Sequence, residues 1–371
     1  MKVLLFTRSL EAGGAERQLV LLAKTLHSRG IPVAVMVYYG SGPFRLELDD
    51  AGVQVIDLKK SGRWDFVAFG LRTIKAIRTY RPDVIYTFIG AHLVASALWL
   101  IIGRPPVFWG VRASQKEIGK YDTFIQTAHR LSIVMSRFAR GIICNSNAGR
   151  DYILSIGYEN KNIKVIPNGI DTERFKYSPN KRMSQRNYWN LTDHSPLIGV
   201  VARIDFVKDH LSFIKAASRV LNDHPNTRFV CVGDGNPELL MSLKDESIQL
   251  GLSDKLIWAG HSNNPVADYS ALDILVLPSM TEGFPNVIVE AMACGLPVVA
   301  TNVGDCRQIV GDCGWIVPPK NPEALAATIS EAIYALPTWS AERSRKRIQE
   351  NFSVDAMVDQ TLSVLDAAVK P

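Results

Sequence analysis

The chain has 371 residues, 47% hydrophobic and 21% charged, a globular composition and too much chain for one ordinary core, so about two domains are expected. That excludes a disordered tail, a peptide and a fibrous repeat. The net charge of +6 is unevenly placed: residues 1–170 hold 23 Lys and Arg against 12 Asp and Glu, the remainder 19 against 24, so the first half calls for an anionic partner without saying which.

In chain order, Lys2 to Phe6 reads as a buried strand, followed by a loop through Gly13-Gly14-Ala15-Glu16 and by Gln18 to Leu26 with helical periodicity. Strand-like runs recur at Val33 to Tyr38, Val53 to Leu58, Val84 to Phe88, Val107 to Trp109, Gly141 to Cys144 and Lys164 to Ile166. From Pro167 to Pro196 the periodicity lapses and polar residues dominate, which reads as the connection between domains. The pattern restarts at Leu197 to Val201, Arg228 to Val232, Leu256 to Ala259, Ile274 to Leu277, Val298 to Ala300 and Trp315 to Val317. Strands alternating with helix-length segments predict two α/β units, each a mostly parallel sheet covered on both faces.

The stretch Ile274 to Ala300 is the most informative. Leu277-Pro278 ends a buried strand, Ser279 to Gly283 makes a polar turn, Pro285 suits the first helical position, and Gly295 with Pro297 stops the helix. A helix over Asn286 to Cys294 then points its N-terminus at the carboxyl edge of the sheet, where free N–H groups hold phosphate. Glu290 lies on that helix among Val287, Ile288, Val289, Ala291 and Met292, and Glu282 lies just before it. An unpaired carboxylate there is expensive and needs a partner. A ribose diol or sugar hydroxyls would serve; singly, a wet helix edge for Glu290 and a capping role for Glu282 serve as well, and the surrounding glycine and proline punctuation favours the hydroxyl-gripping pair. Arg203 and Lys208-Asp209 follow the first strand of the second unit, where two cations would meet the same phosphates; weak surface ion pairs are the alternative. Gly233-Asp234-Gly235 reads as a plain strand-ending turn. Gly13-Gly14 permits close backbone approach but lacks the dinucleotide-binding G-x-G-x-x-G spacing.

These residues, with Ile166-Pro167-Asn168-Gly169-Ile170-Asp171, resemble the retaining, nucleotide-sugar-dependent glycosyltransferases of family 4, or group 1, which have the GT-B architecture. The order and spacing cover essentially the whole chain, and the two glutamates with seven residues between them are the most specific element. The resemblance implies an α/β fold of two Rossmann-like domains facing each other across a cleft. Residues 1–170 would bind the acceptor and 171–353 the nucleotide sugar, with a helix over about 354–371 packing back on the first domain. It places Glu290 on the ribose, Glu282 on the hexose and Arg203 and Lys208 on the diphosphate. Backbone around Gly283, Phe284, Pro285 and Asn286, together with Gly14 and Gly233, completes the donor side, and Gly13, His92 and Arg112 fall on the acceptor side. Glu282, Arg203 and Lys208 form the catalytic set. Gly304-Asp305-Cys306-Arg307 departs from the pattern, since many relatives carry a second glycine and a glutamate there.

The expected reaction moves a hexose or N-acetylhexosamine, with a UDP-sugar as the first choice of donor, to a polysaccharide, oligosaccharide or lipid-linked glycan. The sequence singles out no carboxylate nucleophile, and the resemblance is the main reason that a same-face substitution assisted by the departing phosphate is preferred to double displacement. No two aspartates stand one residue apart to clamp a metal diphosphate, and neither metal nor cofactor is expected beyond the nucleotide sugar. A sugar-nucleotide epimerase, a phosphorylase and a non-catalytic nucleotide-binding protein are the competing readings.

Phe66 to Arg81 interleaves Arg72, Lys75, Arg78 and Arg81 with apolar residues, a basic amphipathic helix that suits either packing on the sheet or attraction to anionic lipid. Nucleic acid is not expected, because the charge is spread without a binding motif. Arg8 breaks the apolar start too early for a signal peptide, the run Leu93 to Ile102 is too short to cross a bilayer, and the five cysteines show no paired-motif spacing. A cytoplasmic enzyme, free or peripheral on the inner face of the membrane, is therefore expected.

Overall fold

The computed structural model describes residues 1–112, 123–159, 161–192 and 195–369. The chain divides into two compact units, Met1–Gly169 with Val354–Pro371, and Ile170–Ser353.

The first unit is built on seven strands among the described residues: β1 (Val3–Thr7), β2 (Val33–Val37), β3 (Gln54–Asp57), β4 (Val84–Thr87), β5 (Val107–Val111), β6 (Gly141–Cys144) and β7 (Ile163–Val165). Their order is β3-β2-β1-β4-β5-β6-β7, every pair parallel. The helices are α1 (Gly14–Ser28), α2 (Pro43–Asp50), α3 (Val67–Tyr80), α4 (His92–Ala97), α5 (Thr123–Met135) and α6 (Asn147–Ser155). Alternate strand residues serve opposite faces. Val3 and Leu5 pack under α1 and α2 with Leu19, Leu22 and Phe44, whereas Leu4 and Phe6 pack under α3, α4 and α6 with Phe69, Ile77, Ala95 and Ile153.

The second unit opens with α7 (Pro179–Tyr188) and continues through β8 (Leu197–Val201), α8 (His210–Asp223), β9 (Arg228–Val232), α9 (Pro237–Gln249), β10 (Leu256–Gly260), α10 (Pro265–Ala271) and β11 (Ile274–Leu277). It then runs through α11 (Asn286–Ala293), β12 (Val298–Thr301), α12 (Cys306–Val310), β13 (Gly314–Val317), α13 (Pro322–Ala335) and α14 (Ala341–Phe352). The strands are parallel in the order β10-β9-β8-β11-β12-β13. Two parallel sheets, each with helices on both faces, are the expected α/β fold. Ile170 pairs with Ser353 in a parallel bridge, and α15 (Val354–Val369) then returns to the first unit. There Met357, Val358 and Leu365 join the α1 side of the core; residues 370 and 371 of the expected helix lie outside the described residues.

One expectation is corrected. The polar stretch between Pro167 and Pro196 is not a bare connection, because α7 lies in it and is part of the second unit. Hydrophobic periodicity misses this helix because its anchor is a charge. Arg186 is 2% exposed, its guanidinium donating to the Ala271, Thr192 and Ser195 carbonyls and, at 2.6 Å, to Asp273. Arg182 donates to the other oxygen of Asp273 at 2.9 Å, and the Leu197 N–H also reaches this carboxylate.

Candidate active site

In the second sheet the winding reverses between β8 and β11, so the loops after these strands diverge and leave a crevice at their carboxyl ends, the usual ligand position in such a sheet. The loop after β8 is held by backbone bonding to the segment after β9. Ala202 N donates to Val232 O, Ile204 N to Asp234 O, and Asn236 N to Ile204 O. A Cβ on Gly233 would sit 2.1 Å from the Ala202 carbonyl oxygen, and one on Gly235 2.0 Å from that of Ile204. Gly233-Asp234-Gly235 is therefore more than the plain turn expected: its glycines let two backbones touch and so fix the path of the Arg203 to Lys208 loop.

That loop then tightens into a 3-10 turn, Phe206–Lys208, in which the Val207 N–H is capped by the Asp205 carboxylate. The Val207 carbonyl accepts from Met280 N at 2.8 Å, tying this loop to the one after β11. Lys208 Nζ donates to Glu282 Oε1 at 2.6 Å, and Ser279 Oγ donates to the same oxygen at 2.7 Å. The Glu282 side chain is 10% exposed and that of Lys208 23%. The structure thus joins two of the expected catalytic residues across 74 positions of sequence. It does not join the third: Arg203 is 70% exposed and pairs with Asp205 at 2.9 Å.

Helix α11 begins at Asn286 with Pro285 as its N-cap, one position earlier than expected for the proline, since the backbone at Pro285 is still extended (φ −77°, ψ 97°). Gly283, Phe284 and Pro285 lead into that N-terminus beside Glu282. Within the segment that departs from the pattern, Gly304 has a structural role: at φ +53°, its Cβ would sit 2.5 Å from the Glu282 carbonyl oxygen, and the next residue, Asp305, donates its N–H to Gly283 O. A bare Cα there lets the loop after β12 support the Glu282 turn. The expected partner of Glu290 includes Tyr269, whose hydroxyl donates to Oε2 at 2.7 Å. Burial, reinforced by the Glu290 charge, pushes the Tyr269 phenol well above its usual range, so it remains a donor. Sequence reading missed Tyr269 and Ser279; the demand for a partner at Glu290 was the one signal for the former.

His210, the first residue of α8, is 2% exposed and neither ring nitrogen has a partner. Burial first, then the Lys208 charge, pushes its pKa down from 6.5 to about 4. Between these values the unfolded chain binds more protons here than the folded one, so stability falls as pH falls through this window and is unaffected above it. The shift corresponds to about 3 kcal/mol. His210→Phe is expected to flatten the decline of the urea midpoint between pH 6.5 and 4.5; an unchanged decline would show that the ring does not carry it.

The first sheet reverses its winding between β1 and β4, and the acceptor-side candidates flank that point. Gly13 caps α1 and Gly14 opens it; the space at Gly13 is taken by the Glu16 carboxylate. His92 opens α4, stacks on Trp109 with ring centroids 5.2 Å apart, and lies 2.7 Å from Thr87 Oγ1 through Nδ1. The Thr87 hydroxyl spends its one proton on the Phe108 carbonyl, so it accepts from Nδ1–H of His92. Arg112 donates to Asn168 Oδ1 at 2.6 Å and to the Tyr86 hydroxyl at 3.2 Å, and Gln18 exchanges two hydrogen bonds with the Gly169 backbone. Asn168 and Gly169 of the motif are thus held by the first unit, with Gln18 a residue the sequence did not single out.

Two family models match, Glycosyltransferase Family 4 over residues 12–174 and Glycosyl transferases group 1 over residues 195–334. The chain belongs to the family 4, group 1 glycosyltransferases. An uncharacterized glycosyltransferase of Methanocaldococcus jannaschii is 27% identical to this transferase over 76% of this chain and 73% of that one. The UDP-Gal:alpha-D-GlcNAc-diphosphoundecaprenol alpha-1,3-galactosyltransferase of Escherichia coli is 32% identical over 64% of this chain and 62% of its own length. Among solved structures, Anabaena HepE in complex with UDP matches with a TM-score of 0.85 at 23% identity, over 99% of this chain and all of that one. The fold of the transferase is accordingly GT-B.

Proposed function

We propose that this transferase moves a hexose or N-acetylhexosamine from a UDP-sugar to a polysaccharide, oligosaccharide or lipid-linked glycan, with retention at the anomeric carbon and without a metal. The observation that carries the reading is the Lys208–Glu282 pair, 2.6 Å apart, in the switch-point crevice beside the N-terminus of α11. A cation and helix N–H groups suit a diphosphate, and a carboxylate beside them suits sugar hydroxyls. Glu290, braced by Tyr269, would hold the ribose, and the exposed Arg203 would leave Asp205 for the phosphates. Gly14, Gly233 and the backbone from Gly283 to Asn286 belong to the donor side on this reading, and Gly13, His92 and Arg112 to the acceptor side. Support for the donor comes from a relative whose name gives UDP-Gal and a fold neighbour solved with UDP. Charge neutralisation by Lys208, Arg203 and the helix terminus lets the departing phosphate take the acceptor proton on the face it leaves.

A thermal-shift screen of nucleoside diphosphates and their sugars tests this. UDP and one of its sugars should raise the melting temperature of the wild type, and Glu290→Ala should abolish the rise. NMR of the product formed from an α-configured donor should show an α linkage. A β product would overturn retention, and no stabilisation by any nucleotide would overturn the donor site.

A further inference from the structure

Helix α3 carries two apolar faces. Phe69, Ile77 and Tyr80 are buried against the sheet, while Val67 at 79% and Leu71 at 62% exposure stand in solvent on the outer face. The core takes Phe69, Ile77 and Tyr80 with the partly buried Ile74 and Ala76, and leaves Val67 and Leu71 without apolar cover. A second exposed apolar element, the turn Trp99, Leu100 and Ile101 after α4, is fastened to the far end of the same helix, because the Arg78 guanidinium donates to the Ile101 carbonyl at 2.9 Å and 3.2 Å. The Trp99 indole N–H already donates to Pro105 O at 2.9 Å, so its ring can leave water without stranding a donor.

Along α3 itself runs a groove of about 680 Å³ lined by Leu71, Ile74, Lys75, Arg78, Thr79 and Arg81. Residues 66–112 contain six Lys and Arg against a single acid, Asp83, whose carboxylate already accepts from Lys2 N; of the six, Arg72 is paired with Asp65 just before this stretch. No helix among the described residues is long and apolar enough to cross a membrane. A rim of cations around protruding Leu, Ile, Val and Trp is the composition of a surface that lies in a lipid interface.

We propose that the outer face of α3 and the turn at residues 99–101 dock the first unit on an anionic membrane, with the aliphatic side chains entering the acyl boundary and lipid phosphates meeting Lys75, Arg78 and Arg81. Charge complementarity selects this occupant. A second copy would set the same cations against each other, and nucleic acid would gain nothing from Leu71, Leu100 and Ile101. The inference needs this surface alone, so its failure leaves the donor-site reading untouched.

The test is co-sedimentation of the full chain with phosphatidylcholine vesicles and with vesicles in which a third of the lipid is phosphatidylglycerol. Partitioning should be at least about tenfold stronger on the anionic vesicles at low salt, and weakened but not abolished by high salt. Leu71→Ser/Leu100→Ser/Ile101→Ser should lower it about tenfold with the melting temperature and its response to UDP preserved, and Lys75→Gln/Arg81→Gln should remove the preference for anionic lipid. Failure of the wild type to bind anionic vesicles at low salt, or undiminished binding by the triple variant, would overturn the proposal. Self-association without vesicles that the triple variant abolishes would overturn it in favour of a second copy.

Discussion

Replacing Lys208 by methionine is expected to lower kcat by about 10²–10³-fold, on the order of 2.7–4 kcal/mol of transition-state stabilisation, while the affinity for UDP alone weakens less than tenfold. The asymmetry follows from where charge appears. On the proposed reading the bare diphosphate would also be bound by the α11 terminus and Arg203, whereas the bridging oxygen gains its charge only as the sugar bond breaks, and Lys208 is the cation tied to the carboxylate of Glu282. Glu282→Gln keeps the shape and the Ser279 contact but leaves Lys208 without its anion, and should also cost at least about tenfold in kcat. Because the two side chains touch, their effects should not add: the double variant should be little worse than the worse single one. Steady-state kinetics with the donor found by thermal shift, alongside calorimetric titration of UDP, makes the comparison. A loss below fivefold for Lys208→Met would remove this residue from the mechanism.

Asp273→Ala should lower the unfolding free energy by about 3–5 kcal/mol. The substitution deletes little apolar contact. Its cost comes from leaving the Arg186 guanidinium, 2% exposed, and its neighbour Arg182 without the carboxylate that each touches, and from stranding the Leu197 N–H at the start of β8. Urea denaturation at neutral pH measures it. A loss under 1 kcal/mol would mean that the carbonyls of Ala271, Thr192 and Ser195 hold Arg186 by themselves.

The same pair marks the limit of what the sequence discloses. Strands such as Gly141–Cys144, Leu197–Val201 and Arg228–Val232 fall where apolar runs place them, because a sheet covered on both faces needs unbroken hydrophobic segments. Helix α7 escapes notice because its anchor is an ion pair 87 residues distant, invisible to any local window. In the site, Glu282 and Lys208 were legible as residue types at a strand end, but their contact is a product of topology, arising only once β8 and β11 lie side by side. Gly233 and Gly304 show a related limit. Sequence reads Gly233 as part of a plain turn and Gly304 only as part of a departing segment, yet what each glycine admits is a carbonyl oxygen from another loop.

The chain leaves the first unit at Gly169 and re-enters it at Val354. Leu19, Leu22 and Leu26 of α1 are covered by Met357, Val358 and Leu365 of α15, and Arg29 pairs with Asp355 and Asp359. During synthesis the order of events is therefore inverted. The unit translated first cannot close its hydrophobic face until the last helix emerges from the ribosome, whereas the unit translated second is contiguous and complete by Ser353. A nascent chain arrested anywhere between these points displays an unsealed apolar stripe on α1, a standing substrate for chaperones.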